Sequence, residues 1–181
     1  MCIARINARI IWRLCRKSLR ENIAGICEGE GNFLNVMNSR ELAERLLEEG
    51  CNPFNYSIGS RGAASDVFCL SCKGTQWQVC YTERGEDSQP IYVSSSESHA
   101  CEFFFHHIMA MRHDHCVGFF KSKANAVAFE HELRALGVAG WSDQIPLGGQ
   151  HDLRYRFFVT GKAIFAVRDA FGILPQRDTD A

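Results

Sequence analysis

"FCLSCKGTQWQVCYTERG", Phe68 to Gly85, decides both the fold and whether to look for an enzyme. It holds three of the chain's nine cysteines, and Cys69 and Cys72 have the C-x-x-C spacing of a metal knuckle or redox pair. The residues around them alternate. Phe68, Leu70 and Cys72 fall on one face of a first strand, and Trp77, Val79 and Tyr81 on one face of a second. Lys73-Gly74-Thr75 supplies the turn, so the stretch reads as a β-hairpin with Trp77 buried. Residues three apart in a strand point to opposite faces, so Cys69 and Cys72 cannot converge on one ion. A thioredoxin-like pair opens a helix, and none follows here. The cysteines are expected to be reduced thiols used as small apolar filler, and no metal or cofactor is expected.

Working outward, "NSRELAERLLEEG" reads as a helix capped by Asn38 or Ser39. Glu41 and Glu44 lie near its positive end, Leu42, Leu46 and Leu47 form the buried stripe, and Gly50 is the stop. "NPFNYSIGSRGAASD" reads as loop. Beyond the hairpin, Ile91-Tyr92-Val93 makes a third strand. "SSSESHACEFFFHHIMAM" makes a helix capped by a serine between Ser94 and Ser96, with Cys101, Phe104, Phe105 and Ile108 inward.

A second pattern follows. "HCVGFF" is a strand and "SKANAVAFEHELRALGV" a helix with Ala124, Val127, Ala128, His131, Leu133 and Leu136 as its stripe and Gly137 as its stop. "AGWSDQIPL" is a strand, "GGQHD" a turn, "LRYRFFVTG" a strand and "KAIFAVRDAFG" a helix. On "LRYRFFVTG", Tyr155, Phe157 and Val159 should face the helices, with Arg154, Arg156 and Phe158 outward. The fold class is α+β: two small units, each an antiparallel sheet covered by helices, α-β-β-β-α then β-α-β-β-α. The divisions are a basic N-terminal helix and linker (1–37), a first unit (38–111), a second unit (112–175) and a tail (176–181).

Charge and motifs narrow the function. Residues 1–20 carry six basic groups and no acid, while the remainder carries 14 basic and 21 acidic residues, a formal −7. Such a body is ill suited to nucleic acid and suited to a basic protein partner. No stretch approaches the ~20 apolar residues of a membrane span, and no secretory signal is visible, so a cytoplasmic location is expected. There is no phosphate-binding loop, H-E-x-x-H or G-x-S-x-G. His106, His107, His113, His115 and Cys116 cluster in sequence, but adjacent helical histidines diverge. Solvated linker histidines are the plainer reading. A small Cys/His hydrolase stays an alternative, because many such pairs exist. So does an RNA-associated module, on the aromatic and basic strand "YRFFVTGK".

The first unit resembles small bacterial immunity proteins that guard against polymorphic and contact-dependent growth inhibition toxins. The resemblance rests on "ELAERLLEEGCNPFNYSIG", "DVFCLSCKGTQWQVCYTERG" and "SESHACEFFFHHI". Their pattern is a helix, Y-S-[IL]-G, a strand with Cys-Leu, W-x-V-x-Y-x-E-R-G and S-E-x-x-A-C. It covers roughly residues 39–109, departing at Cys80, where a second aromatic is expected. "VGFF…ANAVAFEHELRALGV…YRFFVTGK" resembles an α+β module sometimes fused behind it. The resemblance implies a non-enzymatic inhibitor in the cytoplasm, with no catalytic residues, that occludes a cognate toxin C-terminal domain. The expected contact residues are Glu83, Arg84, Glu86 and Asp87, with Asp143 and Asp152 as further candidates.

Overall fold

In a computed structural model, the structure describes residues 36–59, 65–149 and 151–178. The expected basic N-terminal helix lies outside the described residues. Those from Val36 onward belong to one compact α+β unit holding two sheets.

Helix α1 (Ser39–Glu48) starts where Asn38 caps it. The Asn38 side chain accepts from the Arg40 and Glu41 amides while the Glu41 carboxylate accepts from the Asn38 amide. That reciprocal box satisfies donors the first turn leaves open. Leu42 and Leu46 are fully buried, but Leu47, expected in the stripe, is half exposed. A short 3-10 turn (Pro53–Asn55) leads into β1 (Tyr56–Ile58), which lies in the stretch read as loop.

The hairpin is β2 (Val67–Lys73) and β3 (Gln76–Glu83), paired antiparallel, with Leu70 opposite Val79 and both fully buried. β1 joins β2 in parallel. β4 (Glu86–Asp87) and β5 (Tyr92–Ser94) both pair with β3 on its other side. Helix α2 (Glu97–Met109), capped by Ser96, lays Ala100, Cys101, Phe104, Phe105 and Ile108 against this sheet and against α1. Trp77 packs against the margin of that core and stays partly exposed, one residue from the hairpin turn. Cys69 is buried and Cys72 exposed, on opposite faces as the period-2 argument requires. The second face is also buried at mid-strand, through Val67, Cys69, Cys80 and Thr82.

The second sheet runs β7-β8-β6-β9. Its strands are β6 (Asp114–Phe120), β7 (Trp141–Pro146), β8 (Leu153–Thr160) and β9 (Gln176–Arg177), and β6 is joined to β7 by helix α3 (Lys123–Ala135). β8 lies between β6 and β7 and runs antiparallel to both. β9 pairs in parallel with β6 and lies in the expected tail. Each antiparallel core thus gains a short parallel edge strand that the sequence reading lacks. Helices α3 and α4 (Ala163–Phe171) pack on β6 and β8, burying Val117, Phe120, Phe129, Leu133, Phe157, Val159, Ile164 and Val167. The α3 stripe is corrected here. Phe129 and Leu133 point inward with Ala126 behind them, while Ala124, Val127, Ala128, His131 and Leu136 are exposed.

The two halves meet at a seam built by residues 49–55 and the starts of β6 and α4. Gly50 (φ 72°) lies so close to the Gly161–Lys162 backbone that a Cβ would sit 2.5 Å from the Gly161 carbonyl carbon. No side chain fits there. His113 Nδ1 accepts from the Asn52 amide (3.1 Å), so its Nε2 carries the proton and donates to the Ile108 carbonyl (2.8 Å). His115 Nε2 donates to the Gly50 carbonyl (2.9 Å), and Lys162 pairs with Glu49 at 2.8 Å. The histidines expected to be solvated are therefore buried at three positions, His107, His113 and His115. The Asn52 amide that meets His113 and the Gly50 carbonyl that meets His115 are more than 60 residues away, which local sequence cannot display.

Candidate partner-binding surface

Strand β3 ends at Glu83, and the chain reverses through Arg84 (φ 52°) and Gly85 (φ 86°) into β4. Two consecutive positive φ angles are the mark of a type I′ hairpin turn, whose twist matches that of the strands it joins. Arg84 holds the strained position with its amide donating to Ser65 Oγ at 2.8 Å. The turn places Glu83 directly opposite Glu86, and Thr82 opposite Asp87. Asp87 reaches Lys73 at 3.2 Å. Glu83 and Glu86 are exposed and have no ion-pair partner among the described residues. Like charges facing across a ladder are unfavourable, so this tip keeps a local negative field at some cost in stability. Glu83, Arg84, Glu86 and Asp87 are thus brought together on one exposed turn.

Asp143 and Asp152 are placed elsewhere, on the second sheet. The face opposite its helices carries Trp141 and Phe158, stacked at 4.3 Å and 13°. Arg156 lies over Phe158 and grips Asp143 through two nitrogens, one at 2.7 Å. That carboxylate pushes the Arg156 guanidinium further up. Arg154 takes Asp152 and holds its carboxyl below the ordinary range. Arg112 lies over Trp141 and is paired with Asp114. The aromatic and arginine-rich face foreseen on β8 therefore exists, but each of these three arginines already has a carboxylate. Sequence reasoning missed Trp141 as its anchor, because the pairing of β7 with β8 decides which of their side chains meet.

Burial pushes the Cys51 and Cys101 thiols up to about 11, and raises those of Cys80 and Cys116. A nucleophilic thiol needs the opposite direction. Both ring nitrogens of His107 are buried without a hydrogen-bond partner, and Phe68 and Phe103 lie against the ring. Burial holds His107 and His115 below the ordinary histidine value. Among the described residues, no group of three or more His, Cys, Asp or Glu side chains could hold a metal, and no helix is long and apolar enough to cross a membrane.

Protein-family models, curated proteins and solved structures were each compared with the chain, and none matches it.

Proposed function

We propose that this chain is an immunity protein: a non-enzymatic, cytoplasmic binder that neutralises a cognate toxin C-terminal domain, a nuclease, by covering its active site. The observation that carries the reading is the β3–β4 tip. There Glu83 and Glu86 face one another on an exposed turn, at some expense of local stability. A purely structural turn has no need of that arrangement. A basic nuclease surface offers the counter-charge, and complementary fields speed encounter. Inhibition by occlusion asks only for a stiff scaffold, which two helix-covered sheets joined by a close-packed seam supply.

The test is co-expression with the toxin domain encoded in the neighbouring reading frame. A tag on one partner should recover both at one-to-one stoichiometry, and cells should survive the toxin only when this chain is present. Absence of a complex, together with turnover of a small substrate or salt-sensitive RNA binding, sinks the reading.

A further inference from the structure

Sheet edges are usually blunted, because unpaired backbone groups are a template for another chain. Four of the edge strands here, β1, β4, β5 and β9, are only two or three residues long. Among the described residues the exception is β7, six residues from Trp141 to Pro146 and paired on one side only. The direction of its unpaired groups follows from the ladder. The Leu147 amide donates to the Asp152 carbonyl, and backbone bonding alternates along an antiparallel pair. Trp141, Asp143 and Ile145 therefore bond toward β8. Ser142 and Gln144 turn both N–H and C=O to the open side, joined by the Pro146 carbonyl. Ser142 and Gln144 are exposed, and no described residue pairs with their backbone.

A second, independent feature lies alongside. On the helix side of β7 a cleft of about 370 Å³ runs between the strand and α3. Phe157 and Phe120 reach it from the core, Tyr155 and Ala126 line its sides, and Val127 and Glu130 stand at its rim. α3 packs on β6 and β8, and the cleft separates it from β7. On the opposite side, Trp141 and Ile145 offer apolar surface beside the same edge.

Resting on the protein-binding reading above, we propose that β7 captures an extended strand of a protein partner by edge addition. The only chemistry that matches alternating N–H and C=O groups along a strand edge is another extended backbone. The added strand would put apolar side chains beside Trp141 and Ile145, and alternate side chains over Ser142 and Gln144 into the cleft. A second copy of this chain fits worse. Two-fold pairing of Ser142 with Gln144 sets Asp143 opposite Asp143, and pairing centred on Gln144 sets Ser142 opposite Pro146, which has no N–H.

The experiment turns on Gln144→Pro, with Ser142→Pro as a second variant. Each removes an outward N–H and no bond to β8, so the ladder should survive and thermal unfolding should stay cooperative. A phage-displayed library of random dodecapeptides is selected on the full wild-type chain. Enriched peptides should alternate apolar residues and protect the Ser142 and Gln144 amides from exchange. They should bind either proline variant at least tenfold more weakly, and lose affinity when their own alternate amides are N-methylated. If nothing is enriched, or enriched peptides bind both folded variants and the N-methylated forms as well as before, the edge does not capture strands. The neighbour-encoded toxin domain separates the two claims. Peptides that need the edge, with no toxin binding, overturn only the immunity reading. Toxin binding with no edge-dependent peptide overturns only the strand capture.

Discussion

Glu83 and Glu86 on the first sheet face each other across a turn without a counter-ion among the described residues, whereas Asp143 and Asp152 on the second each hold an arginine. The edges differ in the opposite sense. The first sheet ends in strands of two or three residues, and the second leaves one edge of the six-residue β7 without a partner among the described residues. One sheet therefore projects charge and the other projects backbone. Long-range fields act on the rate of encounter, while short-range pairing and packing act on residence time. A protein that must find its partner quickly and then hold it has use for both.

The comparison also concerns how each half is held. The first core centres on Phe104, fully buried under α1 and the hairpin. Phe104→Ala should cost about 3–5 kcal/mol in urea unfolding, against about 2 kcal/mol for the half-buried Trp77→Ala. Equal losses would mean that Trp77 belongs to the core after all. Gly50→Ala attacks the seam instead. It combines a positive φ with a clash against backbone, and should cost about 2–4 kcal/mol. If Gly50→Ala unfolds like the parent, the halves do not rely on that close approach.

Acid should act through the histidines. Burial lowers the folded-state values of His107 and His115, so the unfolded chain binds more protons below about 6.5. The histidine contribution should be constant above that pH and fall as the pH drops from about 6.5 toward the lowered values, by up to ~1.4 kcal/mol per unit per histidine. The double variant His107→Phe with His115→Gln should flatten that slope. A slope unchanged in the variant would place the acid sensitivity elsewhere. The smallest effect has the opposite sign. Glu86→Lys replaces a repulsive cross-strand pair by an attractive one and should stabilise by about 0.2–1 kcal/mol, measured as a shift in urea midpoint.

Much of this architecture could be read from residues alone. The hairpin alternation at Leu70 and Val79, the Asn38 and Ser96 caps and the Gly50 and Gly137 stops are local signals, and local signals survive without tertiary context. β1 and β9 could not be seen, since two or three residues carry no period and their pairing is decided by a neighbour. The α3 stripe went astray because alanines on two faces fit the same period, and only Phe129 settles which face is buried. The histidines went astray for the same kind of reason: nothing near His113 or His115 in sequence announces the Asn52 amide and the Gly50 carbonyl they meet. The acidic tip was legible as a set, Glu83 through Asp87, because a two-residue turn keeps it contiguous. That Asp143 is spoken for needed the register of β7 against β8.

The central claim, that the exposed acidic tip steers a basic toxin domain, is tested most directly by association kinetics. The rate constant for the neighbour-encoded domain is measured against ionic strength for the wild type and for a chain with Glu83, Glu86 and Asp87 all changed to lysine. The account predicts a wild-type rate that falls steeply with salt, and a triple variant at least tenfold slower at low salt with little salt dependence and a near-normal dissociation rate. A complex whose association is indifferent to both salt and the triple change would contradict it.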